Sequence, residues 1–150
     1  MEKIEKTFVM FKPGCLQRRI VGEVLNRLER KGLKIIALKM LHMNRAMAEA
    51  HYAEHRGKDF YEKLLEYTVS GPVIAMVLEG DEAIALVRRL AGPADFHESL
   101  PGTIRGDFAA RTRLNIIHAS DSAASAEREM ALFFKAGELC SWEDGNARWF

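Results

Sequence analysis

The segment Asn115-Ile116-Ile117-His118-Ala119-Ser120-Asp121-Ser122 places a histidine after two apolar residues and ahead of small polar residues that can cap a helix. An imidazole at a strand end is held rigidly. At neutral pH it is mostly unprotonated and can act as a nucleophile. The helix start that follows favours an anion such as phosphate. A structural histidine hydrogen-bonded by Ser120 is the alternative that this segment alone leaves open. A second cluster, Pro101-Gly102-Thr103-Ile104-Arg105-Gly106-Asp107, sets an arginine between two glycines. A guanidinium there suits bidentate recognition of phosphate or carboxylate, unless Arg105 merely pairs with Asp107 in a surface turn. Lys12 at the end of an apolar run, and Arg88 and Arg89 further on, suit either an anionic ligand or a solvated surface. His51-Tyr52-Ala53-Glu54-His55 matches the inverted zinc-protease pattern, in which two histidines bind zinc and the glutamate is the base. The competing reading is a solvated helix face. Neither Gly-x-x-x-x-Gly-Lys-Ser/Thr nor Gly-x-Gly-x-x-Gly occurs, so a nucleotide would be held without those loops.

These residues must be positioned by regular elements. Thr7-Phe8-Val9-Met10-Phe11 is a continuous apolar run, as in a strand buried on both faces, and Lys12-Pro13-Gly14 ends it. Val21, Val24, Leu25 and Leu28 recur at helical spacing, and Gly32 stops the helix. Leu33 to His42 reads as a second strand. Asn44 caps a helix running to about His55, and a shorter helix covers Phe60 to Thr68. Val73 to Leu78 reads as a third strand. Gly80-Asp81 starts a helix with Ile84, Val87 and Leu90 inward, ended by Gly92-Pro93. From Gly92 to Leu114 no period is visible, and a loop of that length in a compact domain usually serves function. Ile116-Ile117 is a brief strand. Ser122 caps a last helix with Ala126, Met130 and Phe133 on one face. The order condenses to βαββαβ. This predicts an α+β, ferredoxin-like fold: a four-stranded antiparallel sheet covered by helices, with a long loop before the last strand.

The chain has 150 residues, 48% apolar and 29% charged, which is ordinary globular usage. Its formal charge of +1 argues against bulk electrostatic binding of nucleic acid or anionic membrane. The aromatic pattern of sheet-based RNA binders is absent. Cys15 and Cys140 cannot by themselves form a disulfide framework or a four-ligand zinc site. The start, Met1-Glu2-Lys3-Ile4-Glu5-Lys6, is too polar for a secretory leader, and no apolar run approaches the length of a membrane span. A cytoplasmic protein is the expectation.

Together the features resemble the nucleoside diphosphate kinase family over nearly the whole chain. The resemblance is carried by Lys12-Pro13 with Gln17-Arg18, Val21-Gly22-Glu23, Gly32, His51-Tyr52 and Ser70-Gly71-Pro72-Val73. It is most specific in Pro101-Gly102-Thr103-Ile104-Arg105-Gly106-Asp107-Phe108 and in Asn115 to Ser122. It implies that residues 1–150 form a single domain of that kind. It also implies an enzyme that moves the γ-phosphoryl group of a nucleoside triphosphate to a nucleoside diphosphate, in a ping-pong cycle through phosphohistidine. A non-catalytic nucleotide-binding interaction protein of the same fold is the alternative. Loss of His118, Lys12 or Arg105 would have marked it, and all three are present.

The resemblance implies roles residue by residue. His118 would be the nucleophile, and Glu129, eleven positions on, would orient it. Lys12 would bridge phosphate and ribose hydroxyl, with Tyr52 near the terminal phosphate. Arg88 and Arg105 would clamp phosphates, Asn115 would bind the sugar 3′-hydroxyl, and Phe60 would stack on the base. Mg2+ would bridge the phosphates with no direct protein ligand, Asp121 acting through water. The resemblance also implies a homo-oligomer, hexameric rather than tetrameric, with the tail bearing Trp142 and Trp149 packed on a neighbour. Three departures from the family pattern stand out. Gly14-Cys15 replaces an Asp/Asn-containing loop, Ala94 occupies the place of a phosphate-binding threonine, and Thr112 stands where an apolar residue often covers the base.

Overall fold

The computed structural model describes residues 3–112 and 114–150. Met1 and Glu2, the start of the segment read above as unlike a leader, lie outside these residues, as does Arg113. Four strands, β1 (Ile4–Phe11), β2 (Lys34–Leu41), β3 (Val73–Asp81) and β4 (Ile117–Ala119), form one sheet in the order β2-β3-β1-β4. All three pairings are antiparallel. The helices are α1 (Val21–Glu29), α2 (Arg45–His51), α3 (Tyr61–Val69), α4 (Ala83–Ala91), α5 (Ile104–Phe108) and α6 (Ala123–Phe133). The expected ferredoxin-like arrangement is present, with α2 and α3 inserted before β3.

The inner stretches of the central strands, Phe8–Phe11 and Val73–Leu78, are apolar because both sheet faces are covered there. Val9 and Phe11 of β1, with Ile74, Met76 and Leu78 of β3, pack beneath α1 and α4. Phe8 and Met10, with Val73, Ala75 and Val77, face Ala48 of α2, Leu65 of α3 and Phe133 of α6. Alternation along each strand sends successive side chains to opposite cores. Asn44 caps α2 by accepting from Met47 N at 2.8 Å, and Ser122 caps α6 by accepting from Ser125 N at 3.1 Å. Each supplies an acceptor for a helix-start N–H.

Several boundaries differ from expectation, each for a local reason. The α2 helix ends at His51, and Ala53–His55 is a 3₁₀ turn. Gly80 and Asp81 do not start a helix, because they remain in β3, opposite Glu5 and Ile4 of β1. The buried face of α4 is Ala83, Val87 and Ala91, with Leu90 partly buried beside it and Ile84 at its margin. The stretch after Gly92 contains α5 and a 3₁₀ turn at Phe96–Glu98. Thr103 caps α5 by accepting from Gly106 N at 2.9 Å. A side chain at Gly106 would put its Cβ 2.0 Å from the Leu100 carbonyl oxygen, so only glycine lets this turn close. The last strand begins at Ile117, one residue later than expected, and contains His118 itself.

Candidate active site

The strand that carries His118 is entered through an unusual turn. Ile116 has φ +74°, and Ile117 N donates back to Asn115 O at 2.8 Å, which closes a γ-turn around Ile116. A β-branched residue with positive φ is strained, and such strain persists only where the surroundings enforce it. Here Ile116 is buried, and its carbonyl accepts from Lys12 N at 2.7 Å. The turn therefore ties the end of β1 to the start of β4 and brings Lys12, Asn115 and His118 together. Lys12 Nζ donates to Asn115 Oδ1 at 2.9 Å.

His118 Nε2 is hydrogen-bonded to Glu129 Oε2 of α6. A carboxylate acceptor fixes the proton on Nε2, which leaves a lone pair on Nδ1. Burial holds His118 well below the ordinary histidine range, and the charges of Lys12, Arg105 and Arg88 act in the same direction. The imidazole is thus neutral at pH 7. Burial raises the Glu129 carboxyl to about 7, which the charge of Arg128 opposes. The Ser120 hydroxyl bonds the Phe8 backbone, donating to O at 3.2 Å and accepting from N at 3.3 Å. His118 bonds Glu129 instead, so the structural alternative in which Ser120 bonds His118 does not hold.

Three cations face this pair. Lys12 is buried, and burial together with the Arg105 charge lowers its ammonium to about 7. Arg105 is also buried. It donates to Gly92 O at 2.7 Å and to Ile117 O at 2.6 Å, so it braces the loop against β4. The surface-turn alternative fails, because Asp107 pairs instead with Arg27 at 2.6 Å and accepts from Gly102 N at 2.9 Å. Arg88 of α4 donates to Ala119 O at 3.2 Å. Arg89 is exposed on the neighbouring position.

The remaining expected residues are placed as follows. The Tyr52 ring lies 6.2 Å from the His118 ring, and burial raises its hydroxyl well above the usual phenol range. Phe60 is half-buried, 5.4 Å from the His55 ring, with Lys58 over its face. Ala94 is exposed, and its carbonyl accepts from Asn115 Nδ2 at 3.4 Å. Several polar side chains around it bond one another or the loop backbone. His97 pairs with Asp95 at 3.0 Å, Ser99 donates to Pro93 O at 2.9 Å, and Thr112 donates to Asp95 at 3.2 Å. Gly14, in place of an acidic or amide side chain, has φ +100° and donates its N–H to Gln17 Oε1 at 2.7 Å.

The zinc-like motif does not assemble. His51 is buried against His118, whereas Glu54 is exposed and His55 turns toward Phe60. The nearness of His51 to His118 and Glu129 was not visible in sequence spacing, since α2 and β4 are far apart in the chain.

A neutral histidine backed by a carboxylate and faced by a lysine and two arginines, on a ferredoxin-like sheet, defines a class: enzymes that pass a phosphoryl group through histidine. Comparison with known proteins narrows it. The family model described as nucleoside diphosphate kinase matches residues 5–139. The nucleoside diphosphate kinase of Treponema pallidum is 57% identical over 146 residues, 97% of this chain and 98% of that one. That of Archaeoglobus fulgidus is 56% identical, covering 97% of each chain. Among solved structures, the Halobacterium salinarum enzyme in complex with CDP superposes with a TM-score of 0.95 at 44% identity, covering 98% of both chains. This chain belongs to the nucleoside diphosphate kinase family. It carries that family's activity, transfer of the γ-phosphoryl group from nucleoside triphosphates to nucleoside diphosphates by a ping-pong cycle through phosphohistidine. Nothing in the comparisons supports the non-catalytic alternative.

Proposed function

We propose that His118 Nδ1 is the phosphoryl acceptor and that Lys12, Arg88, Arg105 and Asn115 hold the nucleotide. The observation that carries this reading is the hydrogen bond from His118 Nε2 to Glu129, which leaves a lone pair on Nδ1 of a ring that feels the charges of Lys12, Arg105 and Arg88. In the first half-reaction Nδ1 attacks the γ-phosphorus and the bond to the β–γ bridging oxygen breaks. The nucleoside diphosphate leaves, and Nε2–H stays on Glu129, whose negative charge stabilises the positive ring. The second half-reaction runs the same step backward onto another diphosphate. Lys12 and the arginines neutralise the charge that spreads over the transferring oxygens. Asn115 receives the sugar 3′-hydroxyl, Tyr52 lines the terminal phosphate, and Phe60 stacks on the base. Stacking discriminates weakly between bases.

The family needs a divalent metal, and we assign Mg2+ here. Asp121 is the carboxylate beside His118, held ionised by the Ser125 and Ser122 hydroxyls. Its ionised carboxylate fits a hydrated hard ion carried by the nucleotide's phosphates, which it would reach through water. Mg2+ bound in this way would neutralise part of the phosphate charge. The same reading makes residues 1–150 one domain working in the cytoplasm. Two free thiols support that location, as does the absence, among the described residues, of a helix long and apolar enough to cross a membrane. Exposed Leu38 and Met40 on edge strand β2, and exposed Trp149 and Phe150, support a homo-oligomer, which we take to be a hexamer.

The test is incubation with γ-labelled ATP. The wild type takes up an acid-labile, base-stable label, and His118→Ala takes up none while still binding nucleotide through the cations. Transfer retained by His118→Ala would refute the assignment.

A further inference from the structure

The mechanism above leaves His51 without a task. This side chain is 2% exposed, yet neither ring nitrogen has a hydrogen-bond partner among the described residues. Its ring packs edge-on against His118 with centroids 4.5 Å apart, and it also meets Tyr52 at 4.5 Å and Phe133 at 5.3 Å. A phenylalanine would fill this hole without leaving two buried polar atoms unpaired. Such atoms in native proteins call for an explanation. One His51 nitrogen, one His118 nitrogen and a Glu129 carboxylate oxygen all lie within 4.8 Å of one another. That separation is spanned by one water making two hydrogen bonds of about 2.8 Å.

We propose that His51 is a positioning residue for phosphoryl transfer: its N–H, through one water, donates to Glu129 and keeps that carboxylate able to receive Nε2–H of His118. The inference rests on the reading of His118 as acceptor. His51 suits the task because burial, with the charges of His118, Lys12, Arg128 and His55, holds it neutral, so one nitrogen carries a hydrogen and gains no second proton at working pH. Glu129 is faced by His118 and Ser120 from β4 and its following turn, by Asp121 from that turn and by Arg88 from α4. His51 faces it from α2, and Arg128 is its neighbour on α6. The hydrogen bond from Ser120 and the charges of Arg128 and Arg88 favour the ionised carboxylate, whereas burial and Asp121 oppose it. A donor from His51 adds to the favourable side. The same three atoms match a metal-ligand set. Lys12, Arg88 and Arg105 make the pocket cationic, however, which disfavours a second cation and favours a proton donor.

The experiment compares wild type, His51→Phe and His51→Gln in rapid-quench labelling by γ-labelled ATP across neutral pH, with thermal unfolding as a check on the fold. His51→Phe keeps the ring and loses the donor. We expect its rate of His118 labelling to fall about tenfold, the size of one lost hydrogen bond to a charged group. KM stays unchanged, and the acid limb of the pH profile moves to higher pH. His51→Gln restores an N–H donor and recovers most of the rate and the original limb. A His51→Phe enzyme with wild-type rate and profile would overturn the proposal. So would two variants equally slow with an unmoved limb, since that pattern belongs to packing alone. Wild-type enzyme that carries its label elsewhere than His118 would instead overturn the acceptor reading on which the proposal stands.

Discussion

At the scale of single residues, burial in this pocket sets two protonation equilibria close to neutrality. Glu129 is raised to about 7, so its carboxylate is lost as pH falls through that value. The His118 Nε2–H then loses its anionic acceptor, and the labelling rate declines on the acid side. In Glu129→Gln that limb disappears and the rate at neutral pH drops by roughly 10²-fold, as expected for a lost charge-assisted partner of the reacting group. An acid limb that persists in Glu129→Gln would assign it to another group. Lys12 is lowered to about 7 in the nucleotide-free protein, by burial and by Arg105. Phosphate bound beside it favours the ammonium, so its pKa rises on binding and a proton is taken up. Affinity for a diphosphate therefore weakens as pH rises above neutrality. Calorimetry in two buffers of different ionisation enthalpy measures the uptake, and zero uptake just above neutrality contradicts this account. The sequence made His118 and Lys12 legible because each ends an apolar run. Glu129 was legible only through resemblance, since its spacing along α6 says nothing about what faces it. His51 stood out only in the zinc-like motif and in the family resemblance, and neither placed it beside His118, because that contact is a product of packing between remote segments.

At the scale of elements, long periodic segments were readable and short ones were not. The run Phe8 to Phe11 announces a strand covered on both faces, and α1 and α6 follow their apolar spacing. Five residues of α5 span too few turns to show a period, although Thr103 is a legible N-cap. The γ-turn at Ile116 has no sequence signature, since glycine is the usual residue at positive φ. The loop between α4 and α5 makes the most testable element. Its backbone reaches the site through the Ala94 carbonyl on Asn115 and the Gly92 carbonyl on Arg105. The Ser99 hydroxyl is spent on the Pro93 carbonyl, and Thr112, beyond α5, is spent on Asp95. A hydroxyl at position 94 would therefore meet no competing donor from those two residues. Ala94→Thr is expected to tighten diphosphate binding by about 1.5 kcal/mol, the lower end for a hydrogen bond to a charged group. Titration at fixed magnesium checks it, and unchanged or weaker binding would mean that the loop presents position 94 away from the phosphates.

For the whole molecule, the tail runs back along the free edge of β2. Cys140 N donates to Ile36 O at 2.7 Å, and Trp142 Nε1 donates to Ile35 O at 2.8 Å, close to an irregularity in the β2 register. Beyond it Leu38 and Met40 remain 47% and 64% exposed, and Trp149 and Phe150 are 73% and 69% exposed. Apolar edge residues of this kind invite another chain. Sedimentation at micromolar concentration should show an assembly larger than a dimer, and Met40→Lys should weaken it. A wild-type chain that sediments as a monomer would leave these residues without a partner.

The join between Phe8 and Ser120 crosses 112 positions of chain. Contacts so remote form late in folding, because the intervening loop must lose its freedom before the contact repays it. Helices α1 and α4 and the β2–β3 ladder need no such closure. On dilution from denaturant, most secondary structure should therefore return before the last strand is seated and His118 stands beside Glu129 and Lys12. Recovered catalysis would then time the final event of refolding, and circular dichroism would run ahead of it.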